Sequence, residues 1–160
     1  MIAEDIKDFK GFFPANPTPV FQGEGVREDA LRAILEYDIK NGAGGFWLAG
    51  TTGEGPILSE LQRRETAEIA ADVCKGRVKT IMHVGGITTE LSIAGAKAAK
   101  DSGCDAICLL PPFYILLMNR VLLIFIKKFQ MHAKIFLFLS ITYLELQELN
   151  LFQGVQMHPG

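Results

Sequence analysis

Residues 44–55 read GGFWLAGTTGEG, and the organisation of the chain follows from them. Gly44 to Ala49 is an unbroken apolar run, too short for a helix and typical of a strand covered on both faces. Gly50, Gly53 and Gly55 then interrupt it, with Thr51 and Thr52 between them. Ser59 opens a segment in which Leu61, Glu65, Ile69 and Val73 recur at helical spacing. With Gln62 three residues on, Ser59 also fits a capping box. The stretch is one strand–loop–helix unit.

The same unit repeats on either side. Gly11 to Ala15 leads into a Pro-rich turn, Asn16 to Pro19, and Asp29 to Lys40 repeats Ala30, Ile34 and Tyr37 with Leu31 and Leu35 on one helical face. Downstream, Lys79 to Val84 (KTIMHV) is a third strand and Leu91 to Ser102 a third helix. Asp105 to Leu110 (DAICLL) is a fourth strand, stopped by Pro111 and Pro112. Short apolar runs alternating with helical segments define an α/β chain with a parallel sheet.

Composition narrows the function. In 160 residues, 16 Lys and Arg face 18 Asp and Glu, a net charge of -2, which gives no electrostatic case for nucleic acid. With 49% hydrophobic and 21% charged residues the chain has material for a core. Cys74, Cys104 and Cys108 are odd in number and contain no C-x-x-C pair, so neither a disulfide framework nor a structural metal site is expected. A reducing cytoplasmic setting fits best. Met1 to Lys10 mixes Glu4, Asp5 and Asp8 with Ile2, Ile6 and Phe9, which reads as a short amphipathic helix and not as a secretory signal.

Ligands of parallel α/β folds sit beyond the carboxyl ends of the strands. Those ends read G-T-T-G-E-G, H-V-G-G and P-P-F-Y. Two hydroxyls and several backbone N–H groups between glycines suit a carboxylate. The same residues also describe a glycine turn whose threonines bond their own backbone. His83, inside an apolar strand, reads as a satisfied core histidine and receives no role.

Taken together, G-T-T-G-E at 50–54, S-E-x-x-R-R-E at 59–65, G-C-D-A-I at 103–107 and P-P-F-Y at 111–114 resemble the dihydrodipicolinate synthase and N-acetylneuraminate lyase family of pyruvate-dependent class I aldolases. The resemblance runs from about Phe9 to Tyr114. It implies a (β/α)8 TIM barrel in which a lysine on a later strand forms a Schiff base with pyruvate, without a cofactor. It also implies that Thr51 and Thr52, with Gly53 in the same turn, bind the carboxylate of pyruvate or another 2-keto acid. Tyr114 would join Thr51 and the tyrosine of a Y-N-I-P motif in a proton relay. Members of this family are homotetramers in which the P-P-F-Y tyrosine is lent to a neighbouring subunit. I-M-H-V-G-G at 81–86, after K-G-R-V-K, is more similar to the N-acetylneuraminate lyases than to the synthases. The alternatives are dihydrodipicolinate synthase and a 2-keto-3-deoxy-sugar-acid aldolase.

Near Ile115 the composition turns abruptly to Leu, Ile, Phe and Lys, and the resemblance stops. It returns one base out of frame. Codons can be chosen for Ser140 to Leu151 that, read from the third base, translate as YNIPGITGVKF, the missing family motif. The same offset lets Leu123 to Met131 encode DFYKKISDA, and Ile135 to Ile141 encode IPIFLY. One lost base, or two gained, near the codons of Tyr114 and Ile115 accounts for the whole tail. A transmembrane reading fares worse, because Arg120, Lys127, Lys128, His132 and Lys134 interrupt Leu116 to Leu144. Val121 to Ala133 can form an amphipathic helix with Lys127 and Lys128 on its solvated face.

The expectation is therefore a partial barrel domain over 1–114 and an irregular or helical, out-of-frame apolar tail over 115–160. The family's lysine would fall beyond Gly160 and the chain would be inactive. Without eight strands the sheet cannot close, so the first and fourth strands should expose open edges and favour aggregation or self-association. A non-catalytic half-barrel that associates with an intact aldolase is the other class of reading.

Overall fold

The computed structural model describes residues 8–21, 25–109 and 136–139. Most of the helix expected over Met1 to Lys10, the P-P-F-Y residues including Tyr114, and the helix expected over Val121 to Ala133 lie outside the described residues.

Four strands form one sheet: β1 (Gly45–Leu48), β2 (Lys79–His83), β3 (Ala106–Leu109) and β4 (Phe136–Leu139). All neighbours are parallel, and their order in space is their order in the chain. Among the described residues, three α-helices connect or precede them: α1 (Glu28–Lys40), α2 (Glu60–Cys74) and α3 (Thr89–Asp101). Glu28 and Asp29 in the first turn of α1 and Lys40 in its last complement the helix dipole. The capping box of α2 is formed: the Gln62 N–H donates to Ser59 Oγ at 3.2 Å, and the Ser59 N–H to Gln62 Oε1 at 2.9 Å. Helix α3 starts two residues before the expected Leu91, because Thr88 Oγ1 accepts the Leu91 N–H and caps it.

Burial follows the pleat. Phe46, Leu48, Met82, Val84, Ile107 and Leu109 pack with Leu31 and Leu35 of α1 and with Ala67, Ala70 and Ala96 of α2 and α3. Ile81, Ala106 and Cys108 point the other way and pack with Phe9, Phe13 and Trp47, with no helix residue among them. Among the described residues, the helices thus cover one face of a sheet whose strands follow one another without a reversal of winding. A doubly wound sheet would carry helices on both faces and a switch point. Single winding is the geometry of a barrel wall, and the chain has the fold of the N-terminal part of a (β/α)8 barrel.

Ionic and polar ties hold the units in register. Arg32 of α1 meets Asp72 of α2 at 2.7 Å, and Arg77 forks onto Glu36 through two nitrogens. Asp105 accepts from Lys79 Nζ, the Thr80 N–H and Thr80 Oγ1, at 2.8 to 3.1 Å, which fixes the start of β3 beside that of β2.

Two expectations are corrected. Gly11 to Ala15 is not a continuous strand; it touches the β1 segment by two isolated parallel bridges, Phe12 to Ala43 and Ala15 to Trp47. Three steps on one side match four on the other, so a bulge breaks the ladder, and Pro14 has no N–H to give it. The strand at Asp105 to Leu110 does not end the sheet either. Residues 136–139 of the tail pair along it as β4, with Ala106 opposite Phe136 and Leu109 opposite Leu139. Phe-Leu-Phe-Leu is a short charge-free run of good strand formers, so four tail residues suffice to extend the sheet.

Candidate functional site

The C-terminal end of β1 turns sharply. The Gly55 N–H donates to the Gly50 carbonyl at 3.0 Å and the Glu54 N–H to the Thr51 carbonyl at 3.1 Å, which closes a compact loop over residues 50–55. Ala49 and Glu54 bracket it in left-handed conformations, with φ of 51° and 55°. Two non-glycine residues in that region within six positions mark a strained segment held by its surroundings. Gly53 and Gly55 are required by close approach. A Cβ on Gly53 would lie 2.9 Å from the Ala49 nitrogen, and one on Gly55 would collide with the Ala49 carbonyl oxygen. A 3-10 turn, Gly55–Ile57, with Pro56 in its first turn, then delivers the chain to α2.

This fold of the loop leaves Thr51 and Thr52 exposed at the strand's end while Gly53 is buried. The two threonines and Gly53 are consecutive residues of this one turn. Tyr114, the other expected site residue, lies outside the described residues.

Of two residues that the sequence did not single out, one anchors the loop and the other braces the strand that leads into it. Arg63 of α2 donates to the Gly55 carbonyl from Nη2 at 2.6 Å and Nε at 3.1 Å, and to the Gly85 carbonyl from Nη1 at 2.9 Å. It therefore ties the loop after β1 to the loop after β2. Burial pulls its guanidinium below its ordinary pKa, partly offset by Glu60. Asn16 is buried beneath the same loop; its N–H donates to the Trp47 carbonyl at 3.2 Å, and its side-chain amide to Asp38 at 2.9 Å. Arg63 stood inside a quoted motif, but nothing local in either case signals the long-range bond.

His83 ends β2 and is 3% exposed. It was expected to be a satisfied core histidine; its buried ring nitrogens make no well-formed hydrogen bond, and the Ala49 main chain interacts with the ring. Burial pushes its pKa down to about 4, with the nearby Arg63 charge adding to the effect and the Ala49 main chain slightly opposing it. The ring is neutral at pH 7. The thiols of Cys74 and Cys104 are buried and pushed up to about 12, which makes them unreactive packing groups.

A cavity of about 480 Å³ opens between α2 and α3, with Leu61, Arg63, Ala67, Met82, His83 and Leu91 in its wall. It lies on the helix side of the sheet, and the threonine turn is not part of its wall. Among the described residues no group of three acidic, His or Cys side chains is arranged to hold a metal. No helix among them is long and apolar enough to cross a membrane.

A singly wound parallel wall with a glycine-closed, hydroxyl-bearing loop at its carboxyl end has the architecture of part of a (β/α)8 barrel. Residues 8–128 match the dihydrodipicolinate synthetase family, and the chain belongs to it. Over 107 residues it is 38% identical to N-acetylneuraminate lyase 2 of Escherichia coli O6:H1, covering 67% of this chain and 35% of that one. Over 106 residues it is 36% identical to the 4-hydroxy-tetrahydrodipicolinate synthase of Salinibacter ruber, covering 66% and 35%. The dihydrodipicolinate synthase of Acinetobacter baumannii complexed with pyruvate superposes with a TM-score of 0.76 at 29% identity, over 82% of this chain and 45% of that one. The chain spans about a third of the length of the curated relatives it matches.

Proposed function

We propose that residues 1–114 are the carboxylate-binding part of a pyruvate-dependent Schiff-base aldolase whose parent reaction is cleavage of N-acetylneuraminate to N-acetylmannosamine and pyruvate. The observation that carries this reading is the loop at the end of β1: Thr51 and Thr52 stand exposed on a turn that Gly53, Gly55 and Arg63 hold rigid. Their hydroxyls and the adjoining N–H groups bind and orient the carboxylate of a 2-keto acid, and Thr51 with Tyr114 passes protons in the chemical steps. Pyruvate in the related Acinetobacter synthase supports that ligand class. His83-Val84-Gly85-Gly86 favours the lyase substrate over that of the synthases.

The tail from 115 is read as out-of-frame translation, because a one-base offset recovers Y-N-I-P and the segments before it. The relay's second tyrosine and the imine-forming lysine then belong to the other frame. An aldolase of this kind needs an unprotonated amine to condense with the ketone and create an electron sink. This chain keeps the part that holds the carboxylate and is inactive as a lyase. The three cysteines, all buried and none in a disulfide, accord with a reducing cytoplasm. The coding DNA around the Tyr114 codon tests the tail directly: a frame that runs on through Y-N-I-P after a one-base correction supports the reading, and an early stop in that frame removes it.

A further inference from the structure

Trp47 is the only tryptophan of the chain and the one residue of β1 that is not buried. Its neighbours in the strand, Phe46 and Leu48, belong to the core under the helices. Trp47 points the other way and packs with Ile81, Ala106 and Cys108. It pairs with Ile81, which pairs with Ala106, so the indole lies in a row that crosses β1, β2 and β3 on the face away from the helices. Its main chain is pinned to the preceding segment, the N–H donating to the Pro14 carbonyl at 3.0 Å and the carbonyl accepting the Asn16 N–H at 3.2 Å. The ring reaches toward the threonine turn: a Cβ built on Gly50 would lie 2.9 Å from Trp47 Nε1 and 3.0 Å from Cδ1. Gly50 has no positive φ to demand a glycine, so the space is kept for the indole edge. Gly50 adjoins Thr51, and its carbonyl accepts the Gly55 N–H that closes the loop. The pyrrole edge of Trp47 is thus packed against the first residue of that loop, and the open part of the indole belongs to the inner side of the wall. Sites for small ligands pair a few fixed polar groups with a larger apolar or aromatic surface.

We propose that Trp47 is a specificity-determining residue whose indole forms the floor of the carboxylate site and restricts it to a short 2-keto acid such as pyruvate. This rests on the carboxylate reading of Thr51 and Thr52, which hold one end of the ligand while Trp47 meets the other. A 2-keto acid gripped by its carboxylate directs its carbon chain away from the hydroxyls, and an indole fixed against Gly50 penalises each methylene added there. The flat apolar ring also removes water from the ligand's methyl group, a gain that a polar side chain at this position would not give.

The test titrates pyruvate and 2-oxobutyrate into the 15N-labelled 160-residue chain and follows the amides of residues 50–55 by NMR, together with the intermolecular NOE from the ligand methyl group to the indole. With one tryptophan, the indole signals need no assignment. Gly50 would transmit any loop movement to the ring, so the methyl contact and the chain-length ratio are read, not the indole shift. The parent should bind pyruvate at least about tenfold more tightly than 2-oxobutyrate, the discrimination available to one methylene in a fixed apolar site, and should show the methyl–indole NOE. Trp47→Val should bring the two affinities within about twofold, and Trp47→Phe, with a smaller ring, should fall between. An unchanged ratio in a folded Trp47→Val chain whose 50–55 amides still respond would overturn the proposal and leave the threonine reading intact. If Trp47→Val does not fold, the parent's NOE decides: its presence supports the proposal, and its absence while the 50–55 amides move overturns it. No saturable response of those amides in the parent removes the threonine reading and this proposal together.

Discussion

Arg63 grips the main-chain carbonyl of Gly55, eight residues before it, with two nitrogens at 2.6 and 3.1 Å, and so bolts the threonine loop to the first turns of α2. Its third bond, to the Gly85 carbonyl, makes the same guanidinium the clamp between two strand-end loops. Hydrogen bonds to a charged group contribute about 1.5–3 kcal/mol each at most, and here they share one cation. Arg63→Leu should therefore lower stability by about 2–3 kcal/mol in urea unfolding, with Arg63→Lys recovering part of it. A loss within about 0.5 kcal/mol, the range of a neutral surface change, would show that the clamp is idle.

Glycine substitutions separate the loop from the helices. Gly55→Ala drives a methyl group into the Ala49 carbonyl and should cost about 1–3 kcal/mol. Gly95, inside α3, has Val84 as the nearest neighbour of an added Cβ, at 3.4 Å, so Gly95→Ala should gain about 0.5–1 kcal/mol from helix propensity. Thermal midpoints that move in the same direction for both would contradict this assignment of the close approach.

The folded chain holds His83 at a pKa of about 4, against an ordinary 6.5. The unfolded chain binds the proton first, so stability is full above about pH 6.5 and falls as the pH drops toward 4. The total is about 3 kcal/mol, of which about 2 kcal/mol is lost by pH 5. Urea unfolding at pH 7 and pH 5 should show this loss in the parent and its absence in His83→Gln. Equal pH dependence in the two chains would mean that the ring is not buried as a neutral base.

Much of this was legible in the sequence, for reasons that particular residues display. Gly44 to Ala49 and Lys79 to Val84 are apolar runs bounded by breakers, and Ser59 with Gln62 is a local capping signal, so those elements formed within a residue or two of expectation. The threonine loop was legible because its glycines answer steric demands carried by the loop itself. Gly11 to Ala15 failed as a strand because Pro14 removes a donor and the register slips by one residue, which composition does not reveal. Residues 136–139 joined the sheet although the tail as a whole lacks a strand pattern. Arg63 and Asn16 escaped because their bonds span 8 to 31 residues, and the environment of the His83 ring depends on what surrounds it in space.

With the frame restored near the Tyr114 codon, binding and chemistry should divide between two residues. Thr52→Val removes a hydroxyl from a charged ligand and should raise the pyruvate dissociation constant by about tenfold or more. Tyr114→Phe should depress turnover by about 10² to 10⁴-fold with little change in binding, as expected for a proton-relay group. Steady-state kinetics of N-acetylneuraminate cleavage, with pyruvate as product inhibitor, reads both. Equal effects of the two variants on the two quantities would refute the assignment of roles.

Borohydride reduction in the presence of pyruvate, followed by mass spectrometry, bears most directly on the claim that this is an aldolase half joined to an out-of-frame tail. The 160-residue chain should take up no stoichiometric adduct, since on the proposed reading the imine-forming lysine belongs to the other frame. The polypeptide from the gene with one base restored near the Tyr114 codon should carry one reduced pyruvate on a single lysine beyond Y-N-I-P. Stoichiometric trapping on one lysine of the 160-residue chain, or none in a folded product of the restored frame, would contradict it.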